Sequence, residues 1–98
     1  MEFNIPNKLK IGGVDYSIKH VDHCGIDDDF GLWRSQGIIE LAKQSGGFEI
    51  SESKKRQTFF HELTHAILFA MGKDELNEDE SFVNTFSSFL NEAINTME

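Results

Sequence analysis

The sequence has little cysteine, little positive charge and no long apolar run. Its single cysteine, Cys24, cannot form an internal disulfide. The N-terminal MEFNIPNKLK lacks the charged-then-apolar layout of a secretory signal, so a reducing, cytoplasmic location is expected. No apolar stretch approaches the roughly 20 residues needed to cross a bilayer, so no membrane association is expected. Nine basic residues stand against 17 acidic ones, a net charge of -8 that repels nucleic-acid phosphates and anionic lipid and excludes nucleic acid as an expected partner. The only basic run, Lys54-Lys55-Arg56, lies among Glu49, Glu52 and Glu62 and reads as a solvated helix edge. No internal repeat, linker or low-complexity segment divides the chain.

What is present is enough for one small domain spanning residues 1–98. Hydrophobic residues make up 39% and include nine phenylalanines, which can supply a core, but 98 residues are too few for two independent cores or a large chamber. Residues 8–21, KLKIGGVDYSIKHV, alternate with period two on either side of Gly12-Gly13, which predicts a β-hairpin with a primed turn. DHCGIDDDFG reads as a loop, and a third strand is expected within Leu32 to Ala42, where GIIELA is β-branched and bounded by glycine.

After Gly46-Gly47, Ser51 or Ser53 as N-cap and Gly72 as a stop predict a helix of about five turns. At about 100° per residue, Phe59, Phe60, Leu63, Ala66, Ile67, Ala70 and Met71 cover much of its circumference, so it should be central and buried. The remaining sector holds His61, Glu62 and His65. A second helix is expected to start at Asn77 and run to the C-terminus. Phe82, Val83, Phe86, Phe89, Leu90, Ala93, Ile94 and Met97 fall on one face, flanked by a polar stripe of Glu80, Asn84, Ser87 and Asn91. The fold class is therefore α+β, a small antiparallel sheet of about three strands packed on two helices.

The segment FFHELTHAIL carries the pattern H-E-x-x-H. Residues i and i+4 of a helix share a face, so His61 and His65 can present neutral imidazoles to one zinc ion. Glu62, about 100° further round, stays out of the ligand set and can act as general base towards water activated by the metal. Two histidines and a glutamate satisfied by neighbours would give the same five letters. Burying them without partners, however, would cost roughly 1 to 3 kcal/mol each, and a metal partners both histidines at once.

A third ligand is needed. No histidine follows at the H-E-x-x-H-x-x-G-x-x-H spacing, which leaves the carboxylates of DELNEDE, residues 74–80. Glu80 is favoured because it begins the polar stripe, with Glu78 and then Asp79 as alternatives. Asn84, one turn on, can hydrogen-bond the other nitrogen of a histidine ligand. Asn77-x-x-Glu80 is also the spacing of a capping box, in which Glu80 would reach back to its own backbone.

HELTHAIL, a short acidic connector and ESFVNTFSSFL together resemble the gluzincin metallopeptidases, in which a glutamate in E-x-x-x-D or E-x-x-x-N completes H-E-x-x-H. The small ImmA/IrrE-type proteins and their minimal phage or mobile-element relatives are the most similar, over roughly Ser51 to Leu90. The resemblance implies a minimal zincin-like domain and a cytoplasmic zinc-dependent endopeptidase acting on a protein or peptide substrate, such as a regulatory protein. Zinc would be held by His61, His65 and Glu80, with Glu62 as base. Two positions depart from the pattern: Thr64 stands where glycine is common, and Val83-Asn84 where Ala-Asn is common. The alternative is a zinc-containing or degenerate peptidase-like module that acts by binding protein.

Tyr16, His20, His23 and Arg34 are possible oxyanion donors outside the helix, each more ordinary as a strand or loop residue. His20, His23 and Cys24 lack a fourth ligand for a second metal site. Asp27-Asp28-Asp29 lacks calcium-loop spacing and reads as a solvated loop. The strand Gly37 to Ala42 could pair with an extended substrate if it lay at a sheet edge.

Overall fold

The computed structural model describes residues 3–25 and 29–98. The expected hairpin is β1 (Lys8–Ile11) and β2 (Val14–Val21), joined at Gly12-Gly13, with Leu9 opposite Tyr16. The segment expected to form one strand forms two, β3 (Gly31–Arg34) and β4 (Ile38–Ala42), connected through Ser35, Gln36 and Gly37. Gly37 has φ +107°, and a Cβ there would stand 2.4 Å from the Asp15 carbonyl oxygen, so this turn needs glycine both for conformation and for space.

The sheet order is β1-β2-β4-β3, with β2 and β4 parallel and the other pairs antiparallel. The expectation of a three-stranded antiparallel sheet is thus corrected to a four-stranded mixed one. The physical reason is burial. Ile39 and Leu41 are fully buried, so β4 takes a central position between β2 and β3. The edge strand beside the helices is therefore β3, not the Gly37 to Ala42 strand considered for that role. A separate small hairpin, β5 (Gln44–Ser45) and β6 (Phe48–Glu49), turns at Gly46-Gly47.

Helix α1 (Glu52–Met71) has the predicted ends. Ser51 Oγ accepts from the Lys54 N–H at 3.1 Å, and Gly72 adopts a left-handed conformation while the Lys73 N–H closes back on the Leu68 carbonyl at 2.9 Å. Phe59 and Phe60 are 1% exposed and pack with Tyr16, Ile18, Ile39, Leu41 and Ala66 in the main core. Each such aromatic contributes roughly 2 to 3 kcal/mol by leaving water. Phe3 stacks on Phe59 and touches Phe60, and its N–H donates to Asn95 Oδ1 at 2.9 Å, tying the N-terminal segment to the last helix. A second cluster of Cys24, Ala42 and Ile50 lies under Val21 and Leu32.

Among the described residues, three helices stand where two were expected. The acidic connector forms α2 (Asp74–Glu78), and α3 (Glu80–Asn95) starts after it. Asn77 is therefore not the cap of the last helix. Asp79 is, accepting from the Phe82 N–H at 3.1 Å. Burial on α3 is narrower than its apolar pattern: Val83 is fully buried and Leu90 and Ile94 partly so, while Phe86 and Phe89, and Met97 beyond the helix end, are exposed. The last turn of α1 is exposed as well, at Phe69 and Met71. Asp27 and Asp28 lie outside the described residues; Asp29 bridges back to Cys24, its N–H donating to the Cys24 carbonyl at 2.8 Å.

Candidate metal centre

The i, i+4 spacing on α1 sets His61 and His65 side by side, ring centroids 5.0 Å apart. Across from them is the first residue of α3, Glu80. One carboxylate oxygen lies 3.7 Å from His61 Nε2 and the other 3.7 Å from His65 Nε2. The three side chains offer donor atoms that all lie within 4.8 Å of one another, the only such group among the described residues. Tetrahedral zinc with bonds near 2.0 to 2.1 Å separates its ligands by about 3.3 Å, so the donors need only a small closure to hold one ion. Two imidazole nitrogens and a carboxylate oxygen are a donor set suited to zinc with a position left open.

The outer nitrogens of the histidines are also accounted for. Asn77 Oδ1 stands 2.5 Å from His65 Nδ1; assigning the proton to Nδ1 leaves the Nε2 lone pair facing Glu80. Asn84 hydrogen-bonds the His61 ring. Burial, and secondarily the neighbouring His65, holds His61 below its usual pKa and so favours the neutral ring a metal requires. The capping-box reading of Asn77 and Glu80 fails here. Asp79 caps α3, Asn77 orients His65, and Glu80 points at both rings. Glu78 lines a neighbouring cleft instead of joining the donor group, and Asp79 is engaged as the cap.

Glu62 is only 8% exposed. Burial first, then the charges of Glu80 and Asp29, pushes its carboxyl up to about 7. A carboxylate tuned near neutrality is suited to accepting and returning a proton. Strand β3 approaches α1 closely here: a Cβ on Gly31 would stand 2.4 Å from Thr58 Cγ2 and 3.1 Å from Glu62 Cγ. Thr64, where the resemblance expects glycine, is 1% exposed and donates its hydroxyl to the Phe60 carbonyl at 2.7 Å, so the departure is absorbed within the helix.

Two clefts meet at Glu62. One, of about 780 Å³, opens on the His61, Glu80 and Asn84 side; the other, of about 510 Å³, opens on the His65 and Asn77 side. Comparison with family models, curated proteins and solved structures finds no match. The site therefore stands on its own geometry.

The remaining expected residues lie elsewhere. Tyr16 is a core residue whose hydroxyl accepts from Trp33 Nε1 at 3.2 Å, and Tyr16, His20, His23 and Arg34 line neither cleft. His20, His23 and Cys24 form no ligand group. Lys54, read as part of a solvated edge, is half-buried, lies 4.7 Å from the Phe30 ring centroid and lines the larger cleft. Asn77 was missed as a site residue because its spacing fits a helix cap equally well.

Proposed function

We propose that this chain is a zinc-dependent endopeptidase with a minimal zincin-like fold of the gluzincin type. The observation that carries the reading is the convergence of His61 Nε2, His65 Nε2 and the Glu80 carboxylate beside a buried Glu62. His61, His65 and Glu80 would hold the zinc, whose contribution is Lewis acidity towards a peptide carbonyl and acidification of water. Asn77 and Asn84 fix the ring orientations. Glu62 takes the proton from the attacking water and delivers it to the amide nitrogen as the C–N bond breaks. The partner is a protein or peptide; an extended segment has room to pass beside edge strand β3, whose residues Gly31 and Leu32–Trp33 line the two clefts respectively. No helix among the described residues is long and apolar enough to cross a membrane. A cytoplasmic setting accords with Cys24 being buried outside any disulfide.

A second reading, a zinc-stabilised module that acts by binding protein, is favoured by the exposed Phe86 and Phe89 on α3. Metal analysis tests what both share. The purified chain should carry one zinc, and His61→Ala should lose it while keeping its circular dichroism; a wild type that takes up no zinc would refute both readings.

A further inference from the structure

The smaller cleft differs in chemistry from the larger one. Its wall is apolar and aromatic, formed by Leu32, Trp33 and Phe69, while Glu62, Asp74 and Glu78 bring carboxylates and no lysine or arginine is present. The Trp33 and Phe69 rings meet at 57° with centroids 5.3 Å apart, making a corner with two π faces. Trp33 is held in place on its other sides, its Nε1 donating to the buried Tyr16 hydroxyl at 3.2 Å and its ring stacked at 6.2 Å on His65. Phe69, by contrast, is 49% exposed, an unusual position for a ring that has core available nearby. Asp74 and Glu78, at i and i+4 on α2, project from one face of that helix towards the same cleft.

From this we infer that the cleft on the His65 side is a subsite for a cationic side chain, lysine or arginine, of the peptide substrate. The aliphatic stem of such a side chain lies on Leu32 and the aromatic corner, its cationic head takes the π faces, and the carboxylates of Asp74 and Glu78 receive its N–H groups. A neutral polar side chain would leave those carboxylates unmatched, and an acidic one would be repelled by both of them. Because Glu62 and His65 also line this cleft, the cationic residue sits next to the bond being cut. The larger cleft lacks this aromatic corner and carries a cation, Lys54, beside Asp29, Glu62 and Glu80. The position of this subsite rests on the peptidase reading, but occupancy of it does not require hydrolysis.

The test is a binding titration of the zinc-loaded full chain carrying Glu62→Gln, which leaves substrates intact. The probes are N-acetylated, C-amidated Ala-Arg-Ala and the same peptide with citrulline, which keeps the shape and drops the charge. Trp33 is the only tryptophan, so its emission reports directly on the corner. The arginine peptide should bind about tenfold more tightly than the citrulline peptide, and Asp74→Asn with Glu78→Gln should bring the two close to equality. Phe69→Leu, at an exposed position, should weaken the arginine peptide and leave the citrulline peptide unchanged. Equal affinities in the parent, a preference that survives both sets of substitutions, or no Trp33 response to either peptide overturns the subsite. Wild-type cleavage of quenched peptides is read separately. Tight arginine binding without cleavage sinks hydrolysis and leaves the subsite standing, whereas cleavage indifferent to arginine does the reverse.

Discussion

Asn77 Oδ1 lies 2.5 Å from His65 Nδ1, so a residue of the short connector helix sets the orientation of a histidine on the central helix. Replacing it with alanine removes the acceptor and frees the ring. Zinc affinity should fall about tenfold or more in chelator competition. Asn77→Asp keeps an acceptor and should restore most of the loss. Unchanged affinity in the alanine variant would mean that the contact has no part in metal binding.

Glu80 is half of every carboxylate–histidine approach in the centre, 3.7 Å from each Nε2. Glu80→Ala should weaken zinc by about tenfold or more, since two imidazoles alone do not complete a zinc site. Glu78→Ala, which removes a carboxylate outside the donor group, should leave zinc affinity within about twofold of wild type. Reversal of that order would transfer the ligand role to Glu78.

The buried Glu62 makes the stability of the metal-free chain depend on pH. Its carboxyl titrates at about 7 in the folded chain against 4.5 ordinarily, so between those values the folded chain holds a proton that the unfolded chain has lost. The stability that comes from protonated Glu62 is fully present below 4.5 and is lost as pH rises through 7, a change of about 3 kcal/mol. Urea unfolding of wild type and Glu62→Gln across pH 4.5 to 8 should show this slope only in the wild type. His61, lowered by burial, contributes in the opposite direction, with stability rising as the pH increases through its folded value; both proteins keep it, so it cancels in the difference. Parallel curves for the two proteins would contradict the burial of Glu62.

Gly31 is where the edge strand meets the helix. A methyl group there would overlap Thr58 Cγ2, and Thr58 is buried with its hydroxyl bonded to the Lys54 carbonyl at 3.0 Å, so it cannot swing away freely. Gly31→Ala should cost about 1 to 3 kcal/mol in denaturant unfolding. Adding Thr58→Ser, which deletes the clashing methyl and keeps the hydroxyl, should recover part of it. Additive effects of the two changes would show that the contact is not the cause.

The legible parts of this molecule were those with strong local signals. Period-two alternation around Gly12-Gly13 marked the hairpin, and Ser51 and Gly72 marked both ends of α1, because caps and turns are chosen by nearest neighbours. His61, Glu62 and His65 were readable because helical spacing alone brings them together. Glu80 was reachable only through the polar stripe of α3, and its rival reading as a cap was equally local. What escaped depended on distant packing. The turn at Ser35-Gln36-Gly37 looks like continued strand until Gly37 is seen against Asp15, and the parallel pairing of β2 with β4 depends on which strand the core buries most deeply. Asn77 escaped because its partner lies in another helix. The exposure of Phe86 and Phe89 could not be read from their spacing, which is that of a buried face.

The central claim, that Glu62 serves as the base beside zinc held by His61, His65 and Glu80, is tested most directly by comparing zinc-loaded wild type with zinc-loaded Glu62→Gln on a mixture of fluorescence-quenched peptides. The account predicts zinc-dependent cleavage by the wild type and a rate lower by about a hundredfold or more in the variant, with equal zinc content in both. Cleavage at equal rates, or no zinc-dependent cleavage by the wild type, would contradict it.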